Sequence, residues 1–503
     1  MTSSSHDHAT PSSRRSWAGL SVLCLPTAVL ALDMSVLYLA LPHISAALGA
    51  DATDELWILD VYPLLIAGLL VPMGGLGDRI GRRRLLLGGA AVFAVVSMVA
   101  AFSANAGMLI AARAALGVAG ATLMPTTLGL LHALFPDPRR RRTAIAVWSS
   151  AFMTGFATGP LIGGALLEAF WWGAVFLPAV PVMVLLLVTG PTLLPECRRT
   201  ESGRFDPLSA VLFLTGLLPL VHGLKEFAHG GSWWTASVAV GVGLLAVVAF
   251  VRRQYRLDDP LLDPRLLTDR TVATALLLLL SGPAVIGGLT LFVPQYLQLT
   301  RGLTALQAGA AIAPAALGLI VGALVAPTAA RRFPTGVVIG TGLALGCGGL
   351  LMVAFGVTAS PVWVIVGLTV VYLGSGPCDA LGTDLVVGAA PPGEAGSAGA
   401  AGETASELGT GLGIALLGTL GTAVYQSRVV GSWPAELPGE VAVAAGASLS
   451  EARSVLETLD ADRAEVLARV VEAAFASGVR TVSLVGAVIT ACLAVLAVRG
   501  LRT

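Results

Sequence analysis

Charge is what this 503-residue sequence has least of: 12% of its residues are Asp, Glu, Lys or Arg, about half the share of an ordinary soluble domain. So few charges cannot cover the two or three soluble domains that this length would otherwise form. Lysine occurs once, as Lys225, and arginine supplies the other 29 basic residues. The formal net charge is zero, so no global basic field points to nucleic acid as a partner. The five cysteines, at 24, 197, 347, 378 and 492, are scattered without a CxxC pair, which argues against a disulfide framework or a zinc site. The histidines at 6, 8, 43, 132, 222 and 229 show no metal spacing within apolar runs, and no metal is expected. A serine elbow, a metalloprotease motif and a nucleotide-binding cassette are all missing. Glycine-rich text at Gly409-Thr-Gly411-Leu-Gly413 lies inside an apolar run rather than after a strand, so it is not read as a dinucleotide loop. Neither enzymatic activity nor a cofactor is expected, and an ATP-driven pump would need a partner to supply the cassette.

What is present is apolar: 55% of the residues, gathered in long runs. Crossing the hydrocarbon takes about 20 mainly apolar helical residues. Fourteen runs meet that test: 17–41, 56–76, 84–104, 107–131, 143–167, 172–194, 207–224, 235–251, 271–296, 305–329, 335–357, 361–388, 397–425 and 479–498. The first follows a polar tail, residues 1–16, with Arg14 and Arg15, and is too long for the apolar region of a cleavable signal; it reads as a retained span. Twenty-two basic residues fall on segments of one side, whereas the short loops of the other hold only Lys225 and Arg301. By the positive-inside rule both termini are then cytoplasmic, in a bacterial cytoplasmic membrane. The chain divides into a six-helix half over 17–194, two inserted helices and linkers over 195–270, and a second six-helix half over 271–498, before a tail at 499–503. The outer segment 426–478 carries Ala452, Leu456 and Leu459 at helical spacing. It reads equally as short surface helices or as a solvated linker.

Charges inside the runs carry the most information, because a carboxylate or guanidinium at mid-membrane is costly and normally faces a cavity or a partner. Asp33 lies past the middle of the first run, and Asp60 about one turn inside the outer end of the second. Glu403 and Glu407, four apart in the thirteenth run, share a helix face. Like charges at that spacing repel, so one of the two is expected to hold a proton unless a cation or water neutralises it. Such a carboxylate can exchange a proton for a cationic substrate. Asp379 and Asp384 in the twelfth run are further candidates for proton or substrate binding; Asp384 also fits the cytoplasmic edge. Arg113, about two turns into the fourth run, needs an acid or several carbonyls as partners, for coupling or for packing alone.

Two glycine-rich stretches are candidates for conformational coupling, although the second by itself reads as packing and a positive-inside anchor would account for the arginines of the first. Gly74-Gly75-Leu76-Gly77-Asp78-Arg79-Ile80-Gly81-Arg82-Arg83-Arg84 follows the second run and reads as a tight loop, in which Asp78 can accept bonds from a helix N-terminus or an arginine. A polar latch of this kind could break as two halves rock. Gly155, Gly159 and Gly163 form a small-residue stripe that permits close helix contact, and Pro160 within it favours a kink.

Taken together these segments resemble the fourteen-span drug:proton antiporter family of the major facilitator superfamily. Gly74 to Arg84 is similar to the superfamily's helix 2–3 loop signature at nearly every position. Gly155 to Gly164 resembles the helix-five antiporter signature, Leu32-Asp33 through Ala40-Leu41-Pro42 the helix-one signature, and Arg113 with Gly117 and Gly120 the helix-four signature. Trp57 to Tyr62 and Glu403 to Gly409 look like QacA/LfrA-type exporters of quaternary ammonium compounds and dyes. The resemblance implies an all-α polytopic fold of two six-helix bundles plus two inserted helices. It also implies proton antiport, with the proton gradient as energy source, and cationic or amphipathic substrates bound with the help of Asp33, Asp60, Glu403 and Glu407. Near Arg331-Arg332, the corresponding loop of the second half lacks the Gly-Asp-Arg pattern, which leaves a second latch unsupported. The reading is therefore a monomeric, alternating-access drug exporter in the lipid bilayer. A dedicated exporter of one endogenous antibiotic or metabolite is the rival reading, and a channel or membrane enzyme is more remote.

Overall fold

A backbone in hydrocarbon has to satisfy its own hydrogen bonds, so apolar runs of this length become helices. The computed structural model describes residues 13–196, 206–228, 232–257, 268–389, 395–433, 442, 445–446, 449–456 and 458–501. The tail 1–12, Cys197, His229, Arg265 and the basic residues of 198–204 lie outside the described residues. Within them there is no strand. The helices are α1 (Ser13–Leu48), α2 (Ala52–Ile80), α3 (Arg82–Ala101), α4 (Ala106–Leu134), α5 (Pro138–Ala169), α6 (Ala179–Leu193), α7 (Pro207–Ala228) and α8 (Trp233–Gln254). They continue as α9 (Arg270–Gln295), α10 (Ala305–Ala330), α11 (Thr335–Gly356), α12 (Pro361–Gly388), α13 (Ala395–Gly431), the short α14 (Leu449–Leu456) and α15 (Ala461–Gly500). All except α14 are long and apolar enough to cross a membrane, α6 together with the 3-10 turn Trp172–Phe176 that leads into it, which makes 14 candidate spans among the described residues. Large apolar side chains such as Val95, Phe102, Leu245 and Leu324 stay exposed on their outer faces, as lipid contact requires and water would penalise.

The sequence places its own helix starts. Asp51, Asn105, Asp269 and Asp460 accept backbone N–H bonds at the starts of α2, α4, α9 and α15. Thr304 and Gln307 form a reciprocal capping box at the start of α10, satisfying N–H groups that a helix end leaves open.

Three boundaries differ from the sequence reading. The stretch from Gly74 to Arg84 is not an extended loop: α2 runs through Ile80, α3 starts at Arg82, and Gly81 alone breaks the helix. Its φ of 109° is open to glycine and strained for other residues. Helical bonding continues across the junction, with Gly81 N–H donating to the Gly77 carbonyl and Leu85 N–H to the Gly81 carbonyl, both at 3.0 Å. Asp78 and Arg82, one turn apart, pair at 2.6 Å. Secondly, α7 extends to Ala228 and takes Lys225 into a span; a buried acid, described below, makes that placement tolerable. Thirdly, most of 426–478 that is described is helical, because α13 continues to Gly431 and α15 starts at Ala461.

With alternating directions, both described ends of the chain lie on one face, here the terminal face, opposite the far face. In the first half α1 packs on α4, α5 and α6, and α4 on α2 and α3. In the second α9 packs on α12, α13 and α15, and α12 on α10 and α11. Helices α7 and α8 pack on each other, while α7 also touches α2 and α13. The halves meet through α2 with α13 and α5 with α10. Close contacts there involve Leu56 with Gly418, Leu64 with Gly411, and Leu306 with Gly164. Gln298 Nε2 donates to the Leu39 carbonyl at 2.9 Å, and Leu306 N–H to the Glu168 carboxylate at 3.3 Å. These contacts lie toward the far face.

The glycine stripe of α5 is what brings α1 within backbone reach. A Cβ at Gly155 would run into the Ala28 carbonyl oxygen, which no rotamer change relieves. Gly409 and Gly413 of α13 play the same part against the Leu280 and Ala284 carbonyls of α9, which accounts for that glycine-rich text as packing. Replacing Gly155 by Val should destabilise the protein by about 1–3 kcal/mol or more through overpacking, read as a lowered thermal midpoint in detergent. Gly348→Ala, with open space at its Cβ position, should leave the midpoint unchanged.

At the terminal face Asp206, just before α7, accepts two bonds from Arg253 of α8, both at 3.0 Å, and one from the Ser209 hydroxyl. The Arg253 guanidinium, with lesser help from Ser209, holds the Asp206 carboxyl down to about 2 against a usual 3.8. A depressed value means that the pair stabilises the folded state above roughly pH 4 and that this contribution disappears as pH falls toward about 2. With Arg253 one-third exposed, screening keeps it small. Over that window the thermal midpoint of the wild type should therefore fall more steeply than that of Asp206→Asn.

Candidate functional site: buried charges at the seam between the halves

Arg113 of α4 is 2% exposed and is met from two other helices. Its Nη1 donates to Asp33 Oδ2 of α1 at 2.7 Å, and its Nε to the Ile58 carbonyl of α2 at 3.3 Å. The guanidinium lies 4.3 Å from the centroid of the Tyr62 ring. An acid, a carbonyl and an aromatic face thus replace the water that the charge gave up on burial. Asp33 reaches this position because Gly159 of α5 packs against Leu32 and Ser35 on either side of it.

Between Ile58 and Tyr62 on α2, and turned to the other side of that helix, Asp60 is fully buried and pairs through Oδ2 with Lys225 Nζ of α7 at 2.6 Å. The ammonium also lies 3.8 Å from the Trp57 ring centroid, and the His222 ring is 6.2 Å from that of Trp57. An apolar cluster of Leu64, Leu217, Val221 and Ala415 seats α7 against α2 and α13.

The third group sits on the second half. Glu407 of α13 is buried, and its Oε2 has no hydrogen-bond partner among the described residues. Glu403, one turn earlier, is within electrostatic reach of Glu407 and of Asp379 on α12. No ion pair to any of these three occurs among the described residues. Tyr62 is in the electrostatic range of Asp33, Arg113 and Glu407, and Tyr38 in that of Glu407, Arg113 and Asp60. The two tyrosines therefore stand among charges from both halves.

The structure thus brings Asp33, Asp60, Arg113, Glu403, Glu407 and Asp379 toward one seam. Asp384 is apart from them, exposed near the end of α12. The glycine and arginine signature lies at the terminal face. There Arg82 packs over Gly129 of α4, and Arg83 donates to the Pro191 and Leu194 carbonyls at 3.1 and 3.0 Å. Arg83 also approaches the Glu196 carboxylate at 3.4 Å. Gly155, Gly159, Pro160 and Gly163 line α5 where it meets α1 and α10.

Lys225 is the member of the cluster that reading the sequence missed, since hydropathy ended the seventh run one residue short of it. The available signal was the mismatch between a lone lysine and an Asp60 with no basic residue within a helical turn.

A family model for the Major Facilitator Superfamily matches residues 23–414. The chain is 44% identical over 476 residues, 94% of either chain, to the multidrug efflux pump LfrA of Mycolicibacterium smegmatis. It is 35% identical over 458 residues to the methyl viologen resistance protein SmvA of Salmonella typhimurium, with 88% of this chain and 90% of that one covered. Its fold matches a bacterial homologue of the human lysosomal transporter Spinster in an inward-facing, unoccupied conformation, with a TM-score of 0.68 at 18% identity over 97% of this chain and 98% of that one.

Breaking the Asp33–Arg113 pair on one side should cost more than removing both charges. Asp33→Asn strands a buried guanidinium and should lose about 3–5 kcal/mol, whereas Asp33→Asn with Arg113→Gln should lose less. Denaturation of the purified proteins gives the order; a single variant as stable as the double would contradict the assignment.

Proposed function

The chain belongs to the Major Facilitator Superfamily, whose members are membrane transporters, and from that premise we propose that it exports cationic or amphipathic drugs in exchange for protons. The observation that supports this most is the contrast among its buried acids. Asp33 and Asp60 each meet a basic side chain of the same protein, at 2.7 and 2.6 Å. Glu407 meets none, and its Oε2 is buried without a hydrogen bond among the described residues. A buried carboxylate in that situation has to bind a proton or a cation. With Glu403 one turn away, the pair favours holding one proton or one cationic substrate over two free negative charges.

In this reading Glu407 and Glu403, with Asp379 beside them, exchange proton for drug. Asp33 and Asp60, each neutralised by its own internal cation, flank these acids, and Tyr38 and Tyr62 give the cation aromatic faces. Arg113 links Asp33 to α2, so a change of charge at the acids alters the packing of α1, α2 and α4. Contacts between the halves toward the far face fit a state open to the terminal face, and their release would open the other side. We read the terminal face as cytoplasmic. With Lys225 taken into α7, Arg301 is the basic residue left on the short far-side loops of the sequence count. The chain then works as a monomer in a bacterial cytoplasmic membrane, without a cofactor and driven by the proton gradient. The names of the similar proteins support drugs, and methyl viologen among them, as the substrates to try first.

Ethidium accumulation in an efflux-deficient host tests this. Expression should lower accumulation, a protonophore should restore it, and Glu407→Gln should reduce export roughly tenfold or more, the scale of one lost charge interaction near 1.4 kcal/mol. In proteoliposomes ethidium should drive proton movement that Glu407→Gln and Asp33→Asn abolish. Full coupling in the Asp33 variant would remove that residue from the mechanism, and unchanged accumulation of every cation tried would remove the drug reading.

A further inference from the structure

Asp60 differs from Glu403, Glu407 and Asp379 in that its surroundings already form a filled receptor for a cation, and from Asp33 in that the cation is an ammonium on a flexible stem. Lys225 Nζ lies 2.6 Å from the carboxylate and 3.8 Å from the centre of the Trp57 ring. A carboxylate and an aromatic face are the two contacts by which proteins recognise organic cations. Neither Lys225 nor Asp60 is more than 1% exposed, so no water weakens the site. The ammonium comes from α7, one of the two inserted helices, which is wedged at the α2–α13 seam by Leu217 and Val221. Lys225 is also less than a turn from the end of α7 at Ala228. Its flexible four-carbon stem can carry the ammonium out toward the far face without moving the helix.

We propose that Lys225 is a tethered resident cation: it fills the Asp60–Trp57 receptor, and a substrate cation gains Asp60 only by displacing it. The inference rests on the cation-export reading and adds to it a competitor built into the inserted helix. The exchange is one ammonium for one substrate cation, so the charge at Asp60 is conserved. A small hydrated monocation offers Asp60 nothing that Lys225 does not, and it stays excluded. A cation with a broad aromatic body or a second charge brings contacts that the lysine lacks and prevails. Lys225 thereby acts as a specificity-determining residue, raising the threshold for entry to Asp60.

Binding of tetraphenylphosphonium and ethidium to the purified full-length protein tests this. Lys225→Met should tighten binding about tenfold, Lys225→Arg should keep the wild-type affinity, and Asp60→Asn with Lys225→Met should cancel the gain. A second comparison holds if Lys225→Met fails to fold with Asp60 left buried. In Asp60→Asn the ammonium keeps its charge without the carboxylate and should weaken binding, and adding Lys225→Met should recover it several-fold. Lys225→Met with wild-type affinity, a double variant that binds tighter than the wild type, or a double variant that binds no tighter than Asp60→Asn would each overturn the proposal. A wild type that binds neither cation would overturn the export reading and this inference together, whereas wild-type binding indifferent to Lys225 overturns the inference alone.

Discussion

A guanidinium buried in a membrane protein has to be met, and the pairing of Arg113 with Asp33 is the constraint on which the first half is organised. Its three contacts come from α1 and α2, so one side chain on α4 fixes three helices at a common depth. The arrangement is stiff because each partner is needed: an ion pair without the Ile58 carbonyl or the Tyr62 ring would leave part of the charge poorly solvated. Tyr62 is within electrostatic range of this pair and of Glu407 on α13, so α2 stands next to buried charges of both halves.

Backbone proximity sets where the acids stand. On α5, Gly155, Gly159 and Gly163 draw α1 close beside Asp33; on α13, Gly409 and Gly413 draw α9 close just beyond Glu407. Each half thus carries one acid next to a glycine-to-carbonyl helix contact. Such contacts are made by backbone rather than flexible side chains and have little slack, so each acid is held rigidly to the helix pair beside it. The two interfaces between the halves, α2 with α13 and α5 with α10, involve the same helices that carry Asp60, Glu403 and Glu407 or the α5 stripe. Buried charge and the interfaces between the halves consequently share their elements.

The acids divide by how they are neutralised. Asp33 and Asp60 have internal cations, from α4 and from the inserted α7. Glu407 has none among the described residues, which leaves it as the place where an exchangeable charge has most to gain. The fourteen-helix arrangement has a chemical consequence here: α7 brings the chain's single lysine to Asp60, an acid of the first half. Without α7 the seam would carry one more unneutralised acid.

Fourteen spans, their alternating directions and the family likeness were all legible in the sequence. Hydropathy acts locally, each run is long enough to answer for itself, and signatures such as Gly74 to Arg84 are contiguous. Asp33, Asp60, Glu403 and Glu407 were legible as unusual for the same reason: each is a charge in an apolar run. What they are paired with was not legible, because Arg113 is 80 residues from Asp33 in the chain and Lys225 is farther still from Asp60. Hydropathy even placed Lys225 on a loop, since a window cannot tell a lysine at the edge of a span from one drawn inward by a buried acid. The single-residue break at Gly81 escaped because a run of glycines and arginines reads as a loop, whereas one positive φ at Gly81 leaves the helical bonding on either side intact. The number and order of the spans belong to the sequence, through the transfer of each segment into lipid. Which charges neutralise which belongs to the tertiary structure, because an ion pair is decided by distance in space.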